Sequence, residues 1–319
     1  MNTAALCAPR IADAATVRAL LPRLNVRQVL EDTFRALGQN MAVQPPQSLT
    51  LFPQDAGDFI TYLGVLAHAG VFGAKLSPYI VTPGRPVITA WTTLISMQTG
   101  QPLLLCDSGQ LTTERTAGAT ALAIDYLAPT HAGKLALIGS GAVGQAHLRH
   151  VASLREWSDI SVFSPDLHAD TERQATLQAL DSRVQIAASA AACVNDADVV
   201  MLCTSSGTPV LDMAHLTKPA LITSISTNVV RAHEIPPSAL PGMDVYCDYK
   251  LTTPGSAGEM VIAAAERGWS SASVVGDLAD LVNQRCNKPD YQKHVFFRSI
   301  GLGLEDVAIA YALHQVLSA

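Results

Sequence analysis

A glycine-rich turn after an apolar run constrains the fold of this chain more than any other sequence feature. Residues 134–138 are mostly apolar, and GSGAVG at 139–144 follows them with the spacing Gly-x-Gly-x-x-Gly. In a strand–turn–helix unit the first glycine allows the sharp turn, the second lets the backbone approach a pyrophosphate, and the third lets the helix pack closely on the sheet. Free N–H groups at the helix start attract the negative charge of the phosphates. The turn therefore predicts a dinucleotide site at the end of a buried strand.

The sequence after the turn has the alternation of a doubly wound parallel sheet. Residues 142–157 place apolar side chains at helical spacing, and the strand-like run 159–163 follows. Short apolar runs and helical stretches continue to alternate toward the C-terminus. We predict strands at 134–139, 159–163, 184–187, 198–203, 220–226, 244–248 and 294–300, and closing helices at 256–267 and 277–283.

The N-terminal part has a different character. A helical pattern over 13–40 ends at Pro45-Pro46, and β-rich runs divided by Pro, Gly and Asp then indicate an antiparallel sheet. These runs span 48–52, 59–66, 71–80, 87–97 and 103–106. A helical stretch over 111–127 leads into the second part, and the apolar helix 303–318 is predicted to pack back on the first. The predicted fold class is α/β: a Rossmann-type doubly wound parallel sheet in 121–299, and an α+β antiparallel-sheet domain in 1–120 with 300–319.

Composition excludes several function classes. Of the 319 residues, 49% are hydrophobic and 15% are charged, which is typical of a compact globular protein. The net charge of -6 leaves no basic surface for nucleic acid, and no apolar stretch reaches the ~18 residues of a membrane span. No metal is predicted, because neither the cysteines nor the histidines have metal-ligand spacing. Scattered cysteines in apolar runs indicate reduced thiols, so we expect a cytoplasmic protein.

Three segments carry a resemblance to a known family. They are GAKLS at 73–77, LTTERTAGA at 111–119 and the glycine-rich turn, and SIGLGLED at 299–306 extends the similarity toward the C-terminus. The chain resembles the ornithine cyclodeaminase and mu-crystallin family, which also holds archaeal-type alanine dehydrogenases and cyclic ketimine reductases. The resemblance implies a homodimer built through the antiparallel-sheet domain, with the active site between the two domains. It also implies a small-molecule substrate and hydride transfer at a carbon that bears nitrogen and adjoins a carboxylate.

Two cationic side chains are the strongest candidates for this chemistry. Arg115 offers a planar fork suited to a substrate carboxylate, and the alternative is a surface arginine paired with Glu114 or Asp125. Lys75 lies in an apolar strand, where a buried ammonium needs a partner. A substrate carboxylate, or proton transfer to the imine nitrogen, would supply that partner. The alternative is that Lys75 points outward from an edge strand.

Two positions depart from the family pattern. In the cyclising members and the alanine dehydrogenases an aspartate stands where this chain has Asn228, and an amide cannot accept a proton as a carboxylate does. The cyclodeaminase reaction needs such a base, whereas reduction of a ring that is already closed does not. Gln47 stands where the family often has an arginine, which leaves Arg115 and Lys75 to balance one carboxylate.

We therefore predict NAD(P)H-dependent reduction of a cyclic imino acid, 1-pyrroline-2-carboxylate, to L-proline. One methylene discriminates by only ~1–3 kcal/mol, so 1-piperideine-2-carboxylate, giving L-pipecolate, is an expected further substrate. The predicted catalytic residues are Lys75, Arg115 and Asn228, and the predicted substrate-binding residues are Gln47, Lys75 and Arg115. Asp306 is predicted only to favour a helix dipole, and Asp248 and Lys250 to be solvated strand ends.

The predicted cofactor is NAD or NADP. Asp166, after the second strand of the parallel sheet, inclines the choice toward NAD because it can accept from a ribose 2′-hydroxyl, whereas Ser164 with Arg173 could admit a 2′-phosphate. The predicted cofactor-binding residues are Thr116, Gly139, Ser140, Gly141, Ala142, Val143, Gly144, Ser164, Asp166, Thr204, Ser205 and Thr227.

Three other functions stay open at this point. The first is ornithine cyclodeaminase, which converts L-ornithine to L-proline and ammonia, and the second is an open-chain amino-acid dehydrogenase of the alanine type. The third is a non-enzymatic, crystallin-like protein that binds nucleotide or another ligand, since a binder of carboxylates would also retain Lys75 and Arg115.

Overall fold

The computed structural model describes residues 8–227 and 229–318. The chain divides into two compact units: unit 1 is Met1–Arg115 with Leu302–Ala319, and unit 2 is Thr116–Gly301. The sequence-based boundaries at 120/121 and 299/300 lie within a few residues of these divisions. Among the described residues, no helix combines the length and the apolar character that a membrane crossing requires.

Unit 1 contains a largely antiparallel sheet in the order β1-β8-β7-β5-β4-β2, with β3 added to β4 and β6 to β5. Its elements are β1 (Arg10–Ala12), α1 (Ala14–Leu20), α2 (Val26–Gly38), β2 (Ala42–Val43), β3 (Ser48–Leu51), β4 (Gly57–Leu66), β5 (Val71–Ile80), β6 (Val87–Ile88), β7 (Trp91–Ser96), β8 (Pro102–Asp107), the first part of α3 (Gly109–Leu127), and α10 (Gly303–Ser318).

Helix α10 covers one face of this sheet, and we call the opposite face, where large apolar side chains are partly exposed, the open face. In cross-strand register, Tyr62 faces Lys75, Lys75 faces Thr92, and Thr92 faces Cys106, so these side chains share the covered face. On the open face large apolar side chains are 37–44% exposed. They are Leu63, Phe72, Leu76, Trp91 and Leu105.

Two glycines let the start of α10 lie directly on β4. A Cβ on Gly64 would fall 2.7 Å from the Cα of Leu304, and a Cβ on Gly303 would fall 2.4 Å from the carbonyl oxygen of Leu63. The Leu304 N–H also donates to the Gln44 side chain at 2.8 Å. The acidic first turn of α10 is therefore fixed against the sheet.

Unit 2 is an eight-stranded, wholly parallel sheet in the order β11-β10-β9-β12-β13-β16-β14-β15. The strand order reverses at β9, which is where doubly wound sheets bind ligands. Its elements are β9 (Lys134–Ile138), α4 (Ala142–Val151), β10 (Asp159–Phe163), α5 (Thr171–Leu180), β11 (Val184–Ile186), α6 (Ala190–Val194), β12 (Val199–Leu202), β13 (Leu221–Ser224), β14 (Asp244–Cys247), α7 (Thr253–Ser256), α8 (Gly258–Arg267), β15 (Val274–Asp277), α9 (Leu278–Val282) and β16 (Val295–Arg298).

The predicted fold class is confirmed, and the differences are local. The helical pattern over 13–40 is two helices, because Pro22 lies in a short 3-10 turn between them and the Asn25 side chain caps the second. Helix α4 ends at Val151, earlier than predicted. Strands β1, β2 and β15 were not predicted, since runs this short carry little periodicity.

Candidate functional site

A cavity of about 730 Å³ opens at the carboxyl ends of β9, β10, β12 and β13 in unit 2. We call it the nucleotide cavity. Among the predicted cofactor residues it is lined by Gly139, Ser140, Gly141, Ala142, Val143, Ser164, Thr204 and Ser205. Its volume and its place at the reversal of strand order suit a dinucleotide.

The glycine-rich turn has the geometry that pyrophosphate binding needs. Gly139 has φ +110°, and a Cβ there would lie 2.3 Å from the carbonyl oxygen of Cys203. A Cβ on Gly144 would lie 2.1 Å from the carbonyl oxygen of Gly139, so α4 packs against the turn. Gly141 is the N-cap of α4 and provides no side-chain cap, and the space around it is open. The first N–H groups of α4 are thus left for an anionic ligand.

The predicted ribose-binding residues Asp166 and Arg173 form an ion pair beside the cavity. The Ser164 hydroxyl donates to Asp166 at 2.8 Å, and Arg173 Nη1 donates to Asp166 at 2.9 Å and to Ser140 Oγ at 3.2 Å. The hydrogen bonds from Ser164 and Arg173 hold the pKa of Asp166 below its ordinary value. The NAD-favouring carboxylate is therefore already bound to the cation that would receive a 2′-phosphate.

Four predicted cofactor residues do not line the nucleotide cavity, and one predicted catalytic residue is outside the described part of the chain. Thr116, Gly144, Asp166 and Thr227 are not wall residues, although Asp166 contacts the wall through Ser164 and Arg173. Asn228 lies outside the described residues.

Unit 1 holds a buried cluster of two cations and two carboxylates. We call Lys75, Arg115, Glu305 and Asp306 the charge cluster. Lys75 Nζ lies 2.9 Å from Asp306 Oδ2, Arg115 Nε lies 3.0 Å from Asp306 Oδ1, and Arg115 Nη1 lies 3.1 Å from Glu305 Oε2. Lys75 and Arg115 are only 1% and 4% exposed. With all groups ionised, the charge cluster is formally neutral.

Burial has the largest effect on the pKa of Lys75. It lowers the pKa of Lys75 from 10.5 to about 8, while Asp306 raises this pKa and Arg115 lowers it. The Lys75 ammonium also lies 4.2 Å from the centroid of the Tyr62 ring and 3.4 Å from Thr112 Oγ1. The carboxylates raise the pKa of Arg115 above its ordinary value despite burial, so Arg115 stays charged. Lys75 is therefore the group that can exchange a proton near neutral pH.

The structure excludes the alternative considered for each cation and overturns the prediction for Asp306. Lys75 does not face outward from an edge, because β5 lies between β4 and β7 and the side chain is buried. Arg115 is not a surface arginine, and its carboxylate partners come from α10. Asp306 is not limited to the helix dipole, since it bridges both cations. The sequence predicts that the two cations balance one substrate carboxylate. In the structure, two carboxylates of the protein already neutralise them.

The structure also places three further residues that the sequence analysis considered. Gln47 is half-buried and precedes β3 directly. Asp248 was predicted to be solvated but is fully buried, because it caps the backbone after β16 and accepts from Ile300 N–H and Gly301 N–H. Lys250 is about half exposed at its side chain and pairs with Asp280 at 2.6 Å. In the part of the chain that the structure describes, no group of three or more His, Cys, Asp or Glu side chains could hold a metal.

Sequence reasoning missed Glu305, Tyr62 and Glu234. The sequence does hold a signal for Glu305: two acids stand at the start of the apolar helix α10. Such a helix is expected to be buried, and a buried carboxylate needs a cation as its partner. Glu234 is fully buried and accepts from Thr204 N–H, whose residue lines the nucleotide cavity. Nothing in its local sequence distinguishes it from a solvated loop residue.

Comparison with known proteins gives consistent matches over the whole chain. The model of the Ornithine cyclodeaminase/mu-crystallin family matches residues 9–319. An NAD(P)H-dependent anabolic L-arginine dehydrogenase, DauB, of Pseudomonas aeruginosa is 53% identical over 311 residues, which are 98% of this chain and 98% of that protein.

Solved structures show the same fold at lower identity. A Delta(1)-pyrroline-2-carboxylate reductase of Thermococcus litoralis, in complex with NADH and L-proline, superposes with a TM-score of 0.88 at 19% identity and covers 97% of both chains. An archaeal alanine dehydrogenase dimer with bound NAD gives a TM-score of 0.88 at 20% identity, covering 97% of this chain and 96% of that one.

Proposed function

Because the chain belongs to the ornithine cyclodeaminase/mu-crystallin family, we propose that it is an NAD(P)H-dependent dehydrogenase that forms L-arginine from its 2-oxo acid and ammonia. It is an enzyme, an NAD(P)-dependent oxidoreductase acting on C–N bonds, as its relatives indicate. The observation that carries the choice of substrate is the 53% identity to an L-arginine dehydrogenase over 98% of both chains.

The reaction is the reduction of an α-imine beside a carboxylate. Ammonia and 2-oxo-5-guanidinopentanoate condense with loss of water, and the C=N bond then takes a hydride at carbon and a proton at nitrogen. NAD(P)H supplies the hydride when it is bound, and it becomes NAD(P)⁺. The protein must therefore hold the carboxylate, orient the C=N bond and supply one proton.

The charge cluster has one group for each task of the protein. Within the described residues Arg115 Nη2 donates to no protein acceptor, so it is the donor left for a substrate carboxylate. Lys75, whose pKa of about 8 lies near neutrality, donates the proton to the nitrogen. Asp306 holds both side chains in place through its two carboxylate oxygens. The amide of Asn228 stays a predicted catalytic group, and Gln47 a predicted ligand of the carboxylate.

Reduction of 1-pyrroline-2-carboxylate to L-proline is the second candidate. The observation in its favour is that the charge cluster combines a guanidinium with a lysine whose pKa is about 8. The roles proposed for them, carboxylate binding and proton donation, suit both substrates equally, and a ring that is already closed needs no further base. We prefer the open-chain candidate because the arginine dehydrogenase relative is 53% identical in sequence to this chain.

A substrate panel tests the proposal. NAD(P)H oxidation is followed with 2-oxo-5-guanidinopentanoate plus ammonium, pyruvate plus ammonium, and 1-pyrroline-2-carboxylate, and ammonia release is followed with ornithine. We expect the highest kcat/KM with the guanidino acid. A higher value with the cyclic imine transfers the function to the second candidate, and proline formation from ornithine without net cofactor turnover overturns both.

The open face of the unit 1 sheet supports a homodimer. Five large apolar side chains at this face are 37–44% exposed and lie on neighbouring strands, and a contiguous apolar patch of this kind marks an interaction surface. The archaeal alanine dehydrogenase of the same fold is a dimer. We propose that a second copy of the chain covers this face. The cytoplasm stays the predicted location.

A further inference from the structure

Glu234 is a buried carboxylate beneath one wall of the nucleotide cavity. It is 0% exposed and accepts five hydrogen bonds, with distances from 2.7 to 3.1 Å. The donors are Thr204 N–H, Thr204 Oγ1, Ser224 Oγ, Ile225 N–H and Ser226 N–H. Since Thr204 and Ile225 both line the cavity, Glu234 joins the two wall segments that follow β12 and β13.

The hydrogen-bond pattern is that of an ionised carboxylate. Every bond to Glu234 has a backbone N–H or a hydroxyl as donor, and both carboxylate oxygens only accept. Across the described ranges no lysine, arginine or histidine forms an ion pair with it. A buried carboxylate held by neutral dipoles projects its charge farther than one cancelled by a cation at contact distance. The wall therefore has a fixed negative charge behind it.

Topology assigns this wall to one half of the cofactor. Ser164 and Arg173, the residues predicted to meet the adenosine ribose, lie beyond the end of β10, on one side of the reversal at β9. A dinucleotide extends across the reversal, so its second half lies at the ends of β12 and β13. Those are the strand ends that Glu234 ties together, and the second half carries the nicotinamide.

We propose that Glu234 is an electrostatic and positioning residue for the nicotinamide: its charge favours the oxidised, cationic ring over the reduced, neutral ring. The same charge stabilises the positive charge that develops on the ring as hydride leaves, so it lowers the barrier in the reductive direction. Its hydrogen bonds fix the wall segments before the cofactor binds. This inference rests on NAD(P)H being the cofactor of the proposed reaction.

Binding measurements separate the charge from the structural role. The dissociation constants of NAD(P)⁺ and NAD(P)H are measured by calorimetry for wild type, Glu234→Gln and Glu234→Asp. A misplaced wall weakens both forms alike, whereas a lost charge weakens mainly NAD(P)⁺. We expect the ratio of the NAD(P)⁺ constant to the NAD(P)H constant to rise on the order of tenfold in Glu234→Gln. In Glu234→Asp, which keeps the charge, we expect the ratio to stay within about twofold of wild type.

Asp248→Asn is a matched control. Asp248 is also 0% exposed, follows a strand of the same sheet and accepts five hydrogen bonds, but it does not touch the lining of the cavity. We expect this variant to lose thermal stability as Glu234→Gln does and to keep the wild-type ratio. A comparable change of the ratio in Asp248→Asn would overturn the inference, because the effect would then follow from a loosened sheet.

The remaining outcomes distinguish a failure of this inference from a failure of the proposed function. If folded Glu234→Gln keeps the wild-type ratio, the inference is wrong while the proposed function stands. If wild type binds neither cofactor form, the proposed function itself fails. Should Glu234→Gln not fold, Ser205→Lys provides the second test, because Ser205 is an exposed wall residue after β12. An added cation there should also raise the ratio, and an unchanged ratio would show that the ring does not lie at this wall.

Discussion

Neutralising Asp306 should shift the pH dependence of the enzyme in a defined direction. Burial brings the pKa of Lys75 to about 8, and Asp306, 2.9 Å away, is the carboxylate that raises it most. In Asp306→Asn the ammonium keeps its burial and its neighbour Arg115 but loses this partner. Removing an opposite charge at such a distance lowers a pKa by about 1 to 3 pH units. We take ~2, which puts Lys75 near 6 in the variant.

The magnitude follows from the fraction of Lys75 that is protonated. At pH 7.5 that fraction is roughly 0.76 for a pKa of 8 and roughly 0.03 for a pKa of 6, so kcat/KM for imine reduction should fall about 25-fold. At pH 5.5 both enzymes are mostly protonated, and the deficit should shrink to under about twofold. In the oxidative direction, where Lys75 must be neutral, the rising limb should move to lower pH by the same amount.

Initial rates of NAD(P)H oxidation from pH 5 to 9.5 measure the shift, with Glu305→Gln as the matched control. Glu305 lies beside Asp306 on α10 and contacts Arg115, and it raises the pKa of Lys75 less than Asp306 does. The pH at which kcat/KM falls should therefore shift less in Glu305→Gln than in Asp306→Asn. A deficit in Asp306→Asn that is equal at all pH values would mean that Asp306 only holds the fold. A fall of kcat/KM that shifts to higher pH in Asp306→Asn would refute the electrostatic reasoning.

Three further perturbations test other parts of the proposal. Lys75→Met should reduce turnover by at least about 100-fold while the NAD(P)H dissociation constant stays within about twofold, because Lys75 lies in unit 1 and the nucleotide cavity in unit 2; equal loss of both would contradict the assigned role. Arg173→Ala should raise the KM for NADPH about tenfold or more with little effect on NADH, and Asp166→Ala should do the reverse, as measured by kcat/KM ratios; parallel changes for both cofactors would rule out a selective site. Leu105→Glu on the open sheet face should convert a dimer to a monomer in light scattering, and an unchanged mass would place the interface elsewhere.

The parts of the fold that were predictable from sequence have local signals. The glycine-rich turn, the strand before it and the helix after it lie within a single short stretch, where Gly139 takes a positive φ and Gly144 packs against the carbonyl oxygen of Gly139. The alternation of apolar runs with helical stretches likewise indicated a parallel sheet without reference to distant contacts. These features were confirmed because the physics that fixes them acts between near neighbours.

The charge cluster was only half predictable. The sequence indicates that Lys75 needs a partner, because an ammonium in an apolar strand is costly to bury, but the partner is Asp306 on the last helix. Arg115 and its acceptors are 190 and 191 positions apart in the chain. Their meeting depends on the contact of Gly64 with Gly303 and Leu304, which no periodicity reveals. Glu234 escaped prediction for the same reason, since its donors come from two other strand ends.

The neutrality of the charge cluster couples substrate binding to the protonation of the acid. When an imino acid places its carboxylate on Arg115, it adds one negative charge near Lys75, and the pKa of Lys75 must rise above about 8 in the complex. The bound substrate thus keeps its own proton donor charged. The profile of kcat/KM reports the free enzyme and that of kcat the complex, so the limb in kcat should lie at higher pH than the limb in kcat/KM. A limb in kcat at the same or lower pH would show that the carboxylate binds away from Lys75, and the assignment of Arg115 as its anchor would fall with it.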